Sequence, residues 1–143
     1  MQPTVLFVDD EPMLLRAVAR IFRGRFELHT AEDARRGLEL LSGSACFDVL
    51  LVDFRMPRMY GRAFLDRARV IAPEAAQVVW TGDIDAEREL RSCAEIFRVL
   101  LKPCPIYDLV RTVAAAAAGG ACRQQPRAPA GDVNAARRCI LPM

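Results

Sequence analysis

Several polar side chains in this sequence stand where an apolar run stops. Asp9 and Asp10 follow "TVLFV", Asp53 follows "VLLV", Thr81 follows "QVVW" and Lys102 follows "IFRVLL". A charge at the tip of a run that fills a buried strand needs a reason. Carboxylates brought together repel one another unless a cation joins them, and hard oxygen ligands suit Mg²⁺ or Mn²⁺. An ammonium and a hydroxyl beside them would neutralise a phosphoryl group carried by one carboxylate. That is nucleophilic carboxylate chemistry with charge-stabilised phosphoryl transfer.

The elements that must position these groups follow from periodicity. Thr4 to Val8, Phe26 to Thr30, Phe47 to Val52, Gln77 to Trp80 and Ile96 to Leu101 are short apolar, β-rich runs. Between them lie helical spacings. Pro12 to Arg23 turns Leu14, Ala17, Val18, Ile21 and Phe22 to one face, with Asp10 as its cap. Ala31 to Leu41 turns Ala34, Leu38 and Leu41 inward. Arg62 to Val70 and Asp85 to Cys93 are weaker helices. Pro105 to Ala118 turns Ile106, Leu109, Val110, Val113 and Ala117 inward. Strand and helix alternate, and continuous apolar strands indicate a parallel sheet covered on both faces. Ligands of such sheets bind outside the carboxyl ends of the strands, where Asp9, Asp10, Asp53, Thr81 and Lys102 all fall.

The 143-residue chain favours one domain with a real core. A net charge of +2 gives no case for a nucleic-acid partner, and no apolar segment is long enough to span a bilayer. The N-terminus lacks a basic region ahead of its short apolar run, so no signal peptide and a cytoplasmic location are expected. Cys46, Cys93, Cys104, Cys122 and Cys139 fit neither a CxxC pair nor a zinc site with His29, and reduced thiols are expected. From Gly119 the chain is rich in Gly, Pro, Ala and Arg, the composition of a disordered tail. The expected division is residues 1–118 and a tail over 119–143.

"VDDEP" at Val8 to Pro12, "LLVDFRMPRMYG" at Leu50 to Gly61, "WTG" at Trp80 to Gly82 and "LLKP" at Leu100 to Pro103 together resemble the receiver domain of bacterial response regulators. The likeness is to the stand-alone, chemotaxis-regulator-like form and covers Thr4 to about Ala118. It implies a flavodoxin-like (βα)₅ fold, a doubly wound parallel sheet in strand order 2-1-3-4-5. It implies a phosphoryl group taken from a sensor histidine kinase or a histidine phosphotransfer protein. By that match Asp53 is the phosphoacceptor and Asp10 a direct Mg²⁺ (or Mn²⁺) ligand. Asp9 is a ligand mainly through water, and the Arg55 backbone carbonyl is a further ligand. Thr81 follows the phosphoryl group and Lys102 pairs with it; a cis peptide before Pro103 is a frequent companion. Output would run through a protein effector, onward phosphotransfer, or a homodimer formed by the fourth helix, fifth strand and fifth helix. Neither membrane nor nucleic acid is expected as a partner.

Two features depart from the family pattern. Val99 stands where receivers usually carry a switch aromatic, with Phe97 two residues earlier as a weak substitute, and no effector domain is expected after the receiver. A degenerate receiver that binds partners without phosphorylation is the alternative. A haloacid dehalogenase-type phosphatase also places an aspartate after a buried strand. It requires a second aspartate two residues later, where this chain has Arg55.

Overall fold

Each of the five apolar runs becomes a strand of one parallel sheet. The computed structural model describes residues 2–56 and 59–119, with the backbone alone at 55, 56, 59 and 60. The elements are β1 (Thr4–Val8), α1 (Pro12–Phe22), β2 (Glu27–Ala31), α2 (Ala34–Leu41), β3 (Val49–Val52), β4 (Arg55–Met56), β5 (Met59–Tyr60), α3 (Gly61–Ile71), β6 (Ala76–Thr81), α4 (Ile84–Arg91), β7 (Ile96–Leu101) and α5 (Ile106–Ala118). The sheet runs β2-β1-β3-β6-β7 with every pair parallel. Counted within the sheet, that is the order 2-1-3-4-5. The proposed tail, apart from Gly119, lies outside the described residues. Among the described residues no helix is long and apolar enough to cross a membrane.

Side chains alternate across the sheet and fill two cores. Leu6, Val8, Leu50, Val52 and Val79 pack with Phe64 and Leu65 of α3 and Leu90 of α4. Val5, Phe7, Leu51, Val78 and Trp80 pack with Leu15, Val18 and Phe22 of α1 and Leu109 and Val113 of α5. Every residue of β1 and β3 is buried, as the central strands of a sheet covered on both faces must be. At the edge away from the strand tips, Asp48 ties three strands together. Its Oδ2 accepts from Thr4 N at 2.9 Å and its own N–H donates to Thr4 O at 2.8 Å. Its carbonyl accepts from Ala76 N at 3.0 Å.

The helices depart from expectation in detail. The stripe of α1 is Leu15, Val18 and Phe22, and Ala17 faces solvent. Asp10 does not cap α1; Glu11 holds that position without a side-chain hydrogen bond. Asp33 caps α2, accepting from Arg36 N at 2.8 Å, and Asp83 caps α4, accepting from Asp85 N at 3.0 Å. On α5, Ile106 is 44% exposed, while Thr112 and Ala116 join the buried stripe. Cys93 and Cys104 are free thiols, and Cys122 and Cys139 lie outside the described residues.

The segment after Asp53 forms a small antiparallel ladder, Arg55 opposite Tyr60 and Met56 opposite Met59. Gly61 closes it, donating its N–H to Phe54 O at 3.1 Å. A Cβ on Gly61 would stand 2.8 Å from the Phe54 Cα and closer still to its carbonyl oxygen, and backbone atoms cannot swing aside. Gly61→Ala should therefore cost about 1–3 kcal/mol, the range for forcing atoms into packed space. Gly82→Ala, whose Cβ would meet only the Lys102 Cβ at 3.9 Å, should be close to neutral. Urea unfolding of the two variants checks this; equal midpoints would remove the close-approach explanation.

Candidate functional site

The sheet fixes the backbone of each residue at the strand tips by carrying its hydrogen bonding one step further. Asp9 N donates to Ala31 O at 3.1 Å, Asp53 N to Val8 O at 3.0 Å and Lys102 N to Thr81 O at 2.7 Å. The side chains of β1 and β3 are apolar up to these positions, so the first polar groups appear together at one edge. Oxygens of Asp9, Asp10 and Asp53 all lie within 4.8 Å of one another. Lys102 Nζ sits 2.9 Å from Asp9 Oδ2 and 3.8 Å from Asp53 Oδ2.

The three carboxylates differ in environment. Asp9 is 0% exposed; its Oδ1 accepts from Glu11 N at 3.0 Å and its Oδ2 from Lys102. Asp10 is exposed and Asp53 is partly buried. Three negative charges face one ammonium, so the cluster carries a surplus of two negative charges. A set of hard oxygens with that surplus fits a small divalent cation such as Mg²⁺. Asp10 and Asp53 have the access to hold it, and Asp9 backs them from within.

Thr81 ends β6, the strand paired with β3, and is 1% exposed. Its Oγ1 accepts from Asp83 N at 3.1 Å, which leaves the hydroxyl proton to donate elsewhere. Of Arg55, whose carbonyl was expected as a ligand, only the backbone within β4 is described. The Lys102-Pro103 peptide is cis. Burial pushes the Cys104 thiol up.

Val99 is half-buried against the α4 side of the sheet. Phe97 does not replace the missing aromatic. It is 45% exposed, at the point where the β6–β7 register slips, with the Arg98 guanidinium 5.9 Å from its ring. An aromatic does reach the site from a position the periodicity marked only as core: Lys102 Nζ lies over the Trp80 ring, 4.9 Å from its centroid.

With this geometry in hand, comparison places the chain among known proteins. A family model described as response regulator receiver domain matches residues 5–114. The hydrogenase transcriptional regulatory protein HoxA of Bradyrhizobium diazoefficiens is 32% identical over 78% of this chain. The chain spans 23% of the length of that protein. Among solved structures, one titled adenylate cyclase from Rhodopirellula baltica superposes with a TM-score of 0.79 at 30% identity, covering 87% of this chain and 93% of that one. The chemotaxis response regulator CheY4 of Vibrio cholerae gives a TM-score of 0.71 at 26% identity, covering 81% of this chain and 99% of that one.

Proposed function

Because this chain belongs to the response regulator receiver family, with the receiver region of a two-component system over most of its length, we propose that it accepts a phosphoryl group on Asp53 from a histidine kinase or a histidine phosphotransfer protein. The observation that carries this is the cluster of Asp9, Asp10 and Asp53 with Lys102 bridging two of them. Asp10, Asp53 and the Arg55 carbonyl would hold Mg²⁺, with Asp9 contributing through water. Bound there, the cation supplies positive charge to the phosphoryl oxygens.

The rest is the work of this chain's own groups. An Asp53 carboxylate oxygen attacks phosphorus as the bond from phosphorus to the donor breaks, and the donor leaves with that electron pair. Lys102 pairs with the incoming phosphoryl oxygens. Thr81 turns its hydroxyl toward them and gives up the Asp83 N–H that it accepts now, which loosens the start of α4. The output surface is the face of α4, β7 and α5, where Ile84, Phe97, Leu101, Ile106 and Tyr107 are exposed. It would receive a protein effector or a second copy of the chain. The domain is residues 1–118, acting in the cytoplasm as a phosphoacceptor that catalyses only its own phosphorylation and dephosphorylation.

Acetyl phosphate with Mg²⁺ should add one phosphoryl group, read by intact mass and mapped to Asp53, and chelation of the metal should stop it. A protein that takes up no phosphate with Mg²⁺ present would instead be the degenerate receiver that Val99 favours.

A further inference from the structure

Trp80 is the single tryptophan of the chain and is 5% exposed. It occupies β6, between β3 and β7, and its ring packs against Phe7 with centroids 6.0 Å apart. The indole is thus buried in the core between the sheet and the α1 and α5 helices, with Phe7 against it. Trp80 pairs in register with Leu100, and Lys102 lies two residues further along the same chain. From there the lysine stem leans back over the ring and brings Nζ to 4.9 Å from its centroid. The ammonium therefore lies against the indole ring while it reaches the Asp9 and Asp53 oxygens.

A lysine stem has much rotamer freedom to lose. The acidic cluster alone would draw the ammonium to its most negative point, at Asp9. A fixed π-face attracts the same charge as well, and most strongly where water is largely excluded. Only 21% of the Lys102 side chain is exposed. We infer that Trp80 is a positioning residue: its indole holds the Lys102 ammonium within reach of both Asp9 and Asp53, ready for the phosphoryl group. The inference rests on Asp53 being the acceptor.

Two readouts test it. In the unphosphorylated protein, NMR should find the Lys102 ε-methylene protons shifted upfield by the indole ring current. Trp80→Leu should abolish that shift and Trp80→Phe should keep part of it. With acetyl phosphate and Mg²⁺, Trp80→Leu should phosphorylate about tenfold more slowly, and Trp80→Phe should recover most of the rate. Absence of the shift in the unmodified protein overturns the proposal, whether or not the leucine variant folds. So does a Trp80→Leu rate equal to that of the unmodified protein. An unmodified protein that takes no phosphate at all sinks the receiver reading instead, and the resonance of Lys102 still decides the contact.

Discussion

Lys102→Met should cost the metal-free protein about 3 kcal/mol, the low end of what is measured when one partner of a buried ion pair is removed. The reason is Asp9. Its carboxylate is 0% exposed, and Lys102 is the charge that compensates it, at 2.9 Å. Methionine keeps the apolar stem and its packing on Trp80 but leaves Asp9 facing Asp10 and Asp53 with no ammonium among them. Mg²⁺ then supplies what the lysine did. The unmodified protein gains from Mg²⁺ too, so the deficit narrows only by the variant's extra affinity: a site made about one hundredfold tighter by loss of the competing ammonium adds about 2.7 kcal/mol more at saturating Mg²⁺, which offsets most of the loss. Urea unfolding in chelator and in Mg²⁺ should show a deficit that is large in the first and small in the second. Adding Asp9→Asn to Lys102→Met should remove most of the deficit, since the buried charge goes with it. A deficit of equal size in both media would mean that Lys102 stabilises the fold by packing, not by charge.

The sheet was legible because its central strands are buried on both faces, which forces unbroken apolar runs and makes a polar residue at their tips conspicuous. The same contrast exposed Asp9, Asp53 and Lys102. What stayed hidden had no such contrast. Trp80 ends an apolar run and faces a core, so its residue type says nothing about the cation above its ring. Asp9 and Asp10 are neighbours of one kind, and only the backbone N–H of Glu11 and the ammonium of Lys102 decide which turns inward. The β4–β5 ladder is two residue pairs, too short to leave a period. Ile106 is apolar but begins its helix, where it stays 44% exposed, and Phe97 is turned outward at a register slip on an edge strand. Hydropathy records what a residue tolerates. Burial depends on which neighbouring element reaches it.

Asp53→Ala should end phosphoryl acceptance completely and, in the absence of metal, make the protein more stable. Acceptance ends because the carboxylate is the proposed nucleophile, and alanine offers no oxygen to attack phosphorus. Stability follows from comparing the charges around it. At an effective dielectric of about 20, each repulsion from Asp9 and Asp10, across no more than 4.8 Å, is worth at least about 3.5 kcal/mol, and the attraction to Lys102 across 3.8 Å about 4.4 kcal/mol. Among Asp9, Asp10 and Lys102 alone, the two repulsions outweigh the one attraction. Asp10 is exposed, so solvent screens its share, and a net gain of about 1 kcal/mol is the expected size. With Mg²⁺ the order reverses, because the variant has lost a ligand and gains less from the metal. Intact-mass measurement after acetyl phosphate treatment tests the first part, and calorimetry with chelator and then with Mg²⁺ tests the second. Labelling of the variant at the normal level would place the acceptor elsewhere. A variant that melts below the unmodified protein in chelator would show that the Lys102 attraction, rather than carboxylate repulsion, dominates at Asp53.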